Sequence, residues 1–131
     1  MDMALFTSFE GRIPRSQFWL GVVILLVAEW VLGLILATLF GMRMMSVDTQ
    51  DPAATMRMMM EFRIPFLIMA LVFLYPALAI YTKRWHDRDK SGWWTLILLI
   101  PLIGPIWFLV ECGCLRGTEG PNEYGPDPLP S

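Results

Sequence analysis

The sequence predicts an all-α membrane protein with three hydrophobic helical segments, and three observations predict it. Hydrophobic residues make up 56% of the 131 residues against 17% charged, well away from the balance of a soluble globule. The apolar residues are gathered into runs, Phe18 to Phe40, Ile64 to Tyr81 and Trp93 to Leu115, each close to the ~20 residues that cross a bilayer. Between the last two runs lies the most polar stretch of the chain, Tyr81 to Trp94, with four of the ten Lys and Arg residues, the only His and three of the six Trp. Cations beside indole rings are the composition of a loop at the membrane surface, where Trp and Tyr settle at headgroup level. A net charge of -2 argues against a nucleic-acid partner, which needs a basic field to neutralise phosphates.

Residues 1–17 read as an amphiphilic, interfacial lead-in, since Pro14 interrupts any helix before about Ser16. The first span, 18–40, is longer than the core of a signal peptide and no Ala-x-Ala site follows it, so it is expected to remain as a membrane helix. Residues 41–63 read as a loop of mixed sign broken by Pro52. Its many Met residues have the soft thioether character of a copper(I) site, but are better explained as flexible apolar side chains leading into the next helix. The second span, 64–81, holds Pro65 and Pro76, with a kink expected near Tyr75 and Pro76.

Residues 82–92 form the basic and aromatic loop, and Ser91 is suited to cap the start of the third segment. That segment, 93–115, is broken at Pro101, Gly104 and Pro105, which leaves two architectures. It is either a single kinked span, which places the tail on the far side, or a re-entrant hairpin, which returns it. Total length favours the single span. The tail, 116–131, is a turn-rich segment in which Asn122 and Asp127 suit local backbone capping around Tyr124.

Phe9 to Trp19 (FEGRIPRSQFW), Lys83 to Trp94 (KRWHDRDKSGWW) with Pro101 to Gly104 (PLIG), and Gly117 to Pro128 (GTEGPNEYGPDP) together resemble the bacterial inner-membrane family known as domain of unknown function 805. The resemblance covers nearly the whole chain, departing at Pro14 and Trp85. It implies a small multi-pass inner-membrane protein and brings no established reaction, ligand or cofactor.

The candidate site residues follow from charge and depth. Arg12, Arg15, Arg84, His86, Asp87 and Arg88 are expected at one membrane face, with the four arginines available to lipid phosphates or an acidic partner. His86 beside Asp87 is the pattern of acid-base or metal chemistry, but the chain has no second His, and a Lys83–Asp87 pair at i,i+4 spacing gives these residues a structural alternative. Cys112 and Cys114 read as reduced thiols, able to join His86 on a metal only if the third segment is re-entrant. No metal or cofactor is expected.

Glu29 is the one ionisable residue well inside a hydrophobic run. Desolvation favours its neutral acid, which is expected to donate to a carbonyl freed by Pro101 or Pro105. The basic residues of a three-span protein lie six to four in favour of the face holding the amino terminus, which is therefore expected to be cytoplasmic. The reading that results is a non-enzymatic interaction or anionic-lipid-associated component, with lipid headgroups, itself or a larger membrane protein as partner. A small transporter or channel subunit using Glu29 is the alternative, and an enzyme acting through His86 and Asp87 comes third.

Overall fold

The computed structural model describes residues 3–129. Four α-helices carry the chain: α1 (Ala4–Thr7), α2 (Arg15–Met45), α3 (Pro52–Asp87) and α4 (Ile103–Phe108). A 3₁₀ helix, Gly92–Leu99, precedes α4, and a π-helical turn, Leu109–Cys114, follows it. Among the described residues there is no β-strand. Both α2 and α3 are long and apolar enough to cross a membrane. Contacts divide the chain into two compact units, one built from the stretches up to Ile24 and from Tyr75 onward, the other from Leu25–Leu74.

The unit of residues 25–74 is a helix pair. The expected loop over 41–63 is overturned, because α2 continues to Met45 and α3 starts at Pro52, leaving only residues 46–51 to connect them. Pro52 stands at the first helical position, where its missing N–H costs nothing and its fixed φ suits the turn. Asp51 caps the start, its carboxylate accepting from the Ala53 N–H at 3.0 Å. Phe40 meets Phe62 edge-on at 5.2 Å, and Met58 is buried while Met42, Met45, Met56, Met59 and Met60 stay exposed. The helix α3 runs unbroken through Pro65 and Pro76.

The other unit holds the aromatic core. Phe18, Trp85 and Phe108 are buried, with ring centroids of 6.0 Å for both Phe18–Phe108 and Trp85–Phe108, and Tyr81 closes on Phe108 at 4.8 Å. Leu5 and Ile13 of the lead-in are also buried, so this stretch packs into the unit instead of lying wholly at its surface. Lys83 holds it there, donating to the carbonyls of Ala4 and Leu5 at 2.6 and 2.7 Å. This replaces the expected Lys83–Asp87 pair.

The third segment folds back on itself as a hairpin. Lys90, just before the 3₁₀ arm, binds Glu111, near the end of the returning arm, at 2.8 Å, so the two arms begin and end together. Ser91 accepts from the Trp93 N–H and opens the first arm. Leu102, at φ 66, makes the reversal, and the arms then pass so closely that a Cβ on Gly104 would overlap the Ile97 carbonyl oxygen. The favoured single span fails because Pro101, Gly104 and Pro105 are spaced to make a turn and a close crossing, which total length does not register. The tail therefore returns to the end of α3 where the hairpin began.

This geometry predicts that Asp89 and Glu119 lie on one membrane face. In a Cys114→Ser background, Cys introduced at either position should react alike with an impermeant maleimide, both in spheroplasts and in inverted vesicles. Opposite labelling of the two would show that the third segment crosses.

Candidate functional site

The candidate site is built around Asp87, the last residue of α3. Its carboxylate, 3% exposed, receives Arg12 from the lead-in, with Nε at 3.0 Å and Nη2 at 2.9 Å from Oδ1, and Arg84 one turn back on α3, whose Nη1 binds Oδ2. Its own carbonyl accepts from the Thr118 N–H at 2.7 Å. One acidic residue thus ties the lead-in, α3 and the tail together. Gly117 passes so near that a Cβ there would overlap the Asp87 carboxylate.

Both arginines are filled by the protein's own oxygens. Arg84, fully buried, donates through Nε to the Cys112 carbonyl at 2.6 Å, through Nη2 to Leu115 at 2.6 Å and through Nη1 to Ile13 at 3.2 Å. Arg12 donates through Nη1 to Gly120 and Gly125 at 2.7 and 3.2 Å and through Nη2 to Thr118 at 2.6 Å. The returning arm receives two further donors, Trp19 Nε1 to the Gly113 carbonyl at 2.9 Å and Arg15 Nη1 to that of Cys114 at 2.7 Å. Glu111 pairs with Arg88 and Lys90, both at 2.8 Å.

His86 directs Nδ1 to the Gly11 carbonyl at 2.9 Å and stacks flat on Tyr124, with centroids 3.9 Å apart. Asn122 Nδ2 donates to the His86 carbonyl at 2.9 Å, while its Oδ1 accepts from Tyr124 N–H. Asp127 accepts from Gly120 and Leu129 N–H at 2.9 and 3.0 Å, bonds that hold its carboxyl below the ordinary range, that to Leu129 first. His86 stands beyond the apolar run that ends at Tyr81. Burial lowers its pKa, against the opposing pull of the Gly11 carbonyl.

The expectation of four arginines offered to lipid phosphate needs correcting. Arg12 and Arg84 point inward because the hairpin and tail present carbonyls that only a multi-donor side chain can satisfy, and Arg88 is engaged with Glu111; Arg15 remains exposed. Asp87 is held by two guanidinium groups and His86 by a carbonyl and a ring, so the two do not form an acid-base pair. Among the described residues no three His, Cys, Asp or Glu side chains gather to hold a metal, and Cys112 is buried while Cys114 is exposed. The carbonyls named as acceptors for Glu29 are not left without a donor, since Ile97 O accepts from Ile100 N–H at 3.0 Å and Pro101 O from Ile103 N–H at 2.8 Å. Glu29 itself is exposed on α2. Glu111 and Gly117 are not among the site residues expected from the sequence. An acid at the end of an apolar run, opposite Arg88 and Lys90, was the available signal for the first; nothing local marks the second.

Two outcomes follow. Asp87→Asn leaves two guanidinium groups buried without a counter-charge and should cost about 3–5 kcal/mol, read as a fall in thermal stability in detergent. A neutral His86 is favoured by the fold, so its contribution is complete above the ordinary His value of 6.5 and is lost as pH falls below it. Protection from hydrogen exchange in 118–127, taken relative to the intrinsic exchange rate at each pH, should therefore fall more between pH 7.5 and 5 in the wild-type chain than in His86→Phe, which keeps a stacking ring without the titration.

The chain was compared with known proteins. The model of the family described as "Protein of unknown function (DUF805)" matches residues 6–126. Inner membrane protein YhaH of Escherichia coli (strain K12) is 33% identical over 124 residues, 94% of this chain and 88% of that protein. Inner membrane protein YhaI of the same strain is 29% identical over 125 residues, covering 94% and 87%. Uncharacterized protein YiiR, also of that strain, is 26% identical over 145 residues, covering 92% and 85%. No solved structure matches. All three sequence motifs fall within the matched stretch but for the last two residues of the tail motif, and the chain belongs to the DUF805 family of membrane proteins.

Proposed function

We propose that this chain is a non-enzymatic inner-membrane protein that associates with anionic lipid headgroups at its clasped end, through Arg15 and Arg116. The observation that carries the reading is the pairing of Arg15 with Trp19. Four residues apart at the start of α2, they lie on one helix face, and both are exposed. Each gives a single N–H to the returning arm of the hairpin, Arg15 to Cys114 and Trp19 to Gly113. The remaining guanidinium donors of Arg15 are open to a phosphate, beside an indole suited to headgroup level. Arg116 follows two residues after Cys114, half exposed and only loosely paired with Glu119 at 3.5 Å. The residues that suggested chemistry, His86 and Asp87, are occupied in holding the fold, which favours binding over catalysis.

Orientation belongs to the same proposal. With the third segment re-entrant, Arg12, Arg15, Lys83, Arg84, Arg88, Lys90 and Arg116 share one membrane face, against Arg43, Arg57 and Arg63 on the other. That bias supports a cytoplasmic amino terminus and clasped end, on the side where anionic headgroups create a negative surface potential.

Lipid retained on purification in mild detergent tests the reading. Each basic residue near an anionic surface contributes about 1 kcal/mol, so Arg15→Ala with Arg116→Ala should bind phosphatidylglycerol about thirtyfold more weakly. Arg43→Ala with Arg57→Ala should leave it unchanged. Equal retention by wild type and the first double variant overturns the proposal.

A further inference from the structure

Glu29 is placed where a carboxyl group has no partner of its own. It lies about eleven residues from Phe18 along α2, roughly 16 Å at ~1.5 Å per residue, near the middle of a hydrocarbon core about 30 Å thick. The other charged residues of the helix, Arg15 and Arg43, each stand fourteen positions away, about 21 Å along the axis and beyond any side chain's reach. Among the described residues Glu29 makes no hydrogen bond or ion pair, and its side chain is exposed. Beside it Leu26, Trp30, Gly33 and Leu34 line a shallow hollow. The hollow exists because Gly33, one turn on, leaves the backbone bare; a Cβ there would meet nothing within 4 Å.

We propose that Glu29 marks the face by which two copies of this chain pair in the membrane, the two α2 helices running parallel with their Glu29 carboxyls hydrogen-bonded to each other. A neutral carboxyl carries one O–H donor beside its acceptors. It is therefore complementary to itself. Two copies inserted in the same direction and related by a two-fold axis along the membrane normal bring the same residue together at the same depth, wherever that depth lies. Each carboxyl then gives its O–H to the other. A second copy supplies this acid-acid match by symmetry. Trp30 and Leu34 flank the pair, and the bare backbone at Gly33 lets the helices approach closely enough for the side chains to meet. The inference needs α2 to cross the membrane; it does not depend on headgroup binding at Arg15 and Arg116.

The test uses the full-length protein in liposomes, labelled at the exposed Cys114 with donor or acceptor dyes, with energy transfer followed as the protein is diluted in lipid. Wild-type chain should show transfer that falls with dilution. Glu29→Gln, which keeps a donor and an acceptor, should pair within about threefold of wild type. Glu29→Leu should pair about three- to thirtyfold more weakly, the range of polar contacts between membrane helices. Gly33→Ile leaves the carboxyl in place but blocks close approach, and should weaken pairing as well; circular dichroism checks that both variants remain helical. The proposal is overturned if wild type shows no dilution-dependent transfer, or if either the Glu29→Leu or the Gly33→Ile curve superimposes on it. It is equally overturned if Glu29 proves necessary for retaining a different membrane protein while the chain itself stays monomeric.

Discussion

The buried carboxylate of Asp87 sets the terms for the clasped end of this protein. Two guanidinium groups are held away from solvent, and each would be a heavily penalised isolated charge without a counter-ion. Asp87 supplies it to both, with Arg84 reaching Oδ2 from one turn back on α3 and Arg12 reaching Oδ1 from the lead-in. One carboxylate offsets one of the two positive charges, and the backbone carbonyls of Ile13, Cys112, Leu115, Thr118, Gly120 and Gly125 accept other N–H groups of the two arginines and help to solvate the charge that is left. The hairpin end and the tail are thereby docked by main-chain bonds whose donors are side chains on other elements.

That arrangement answers a difficulty that a folded-back apolar segment would meet at a membrane. A helix that ends near a membrane leaves its last carbonyls without intrahelical donors, and irregular backbone is tolerated at such depth only where protein or trapped polar groups satisfy it. The returning arm loosens into a π turn over Leu109–Cys114, and the carbonyls of Cys112, Gly113, Cys114 and Leu115 each receive a side-chain N–H from Arg84, Trp19, Arg15 and Arg84 in turn. Cations are suited to this place for a second reason, since the carboxyl end of a helix carries partial negative charge. The same residues that bias a loop toward the cytoplasm also close the hairpin.

Much of the fold was legible from apolar periodicity and run length. The cores of α2 and α3, the cap at Ser91 and the break at Pro101 to Pro105 all follow from residue type and spacing. What run length misses is direction. Twenty-three residues between Trp93 and Leu115 suffice for a crossing, and it takes contacts such as those of Lys90 with Glu111 and Gly104 with Ile97 to show that the chain turns back. The connection between α2 and α3 is shorter than charge alone suggests, because charged residues and Pro52 have the look of a loop, although Pro at the first turn begins a helix and Arg43 pairs with Glu61 at 3.6 Å from one helix to the other. Gly117 was illegible for a different reason. Its constraint is the nearby Asp87 carboxylate, thirty positions away in the chain.

The candidate site shows the limit of reading charge as function. Arg12, Arg84, His86 and Asp87 have the residue types of a phosphate or acid-base site, and a sequence gives no reason to treat the four arginines of that end unequally. Burial separates them. Arg12 and Arg84 are surrounded by carbonyls of the chain itself, while Arg15, at the start of α2, touches only one and keeps its other donors outward. An arginine whose N–H groups are already matched by internal acceptors can bind a phosphate only by giving those bonds up, and the Asp87 carboxylate would then lose its partners as well. Binding at Arg15 disturbs neither. The clasp and the headgroup surface therefore use the same residue type for opposite purposes, and they are told apart by where each guanidinium finds its acceptors.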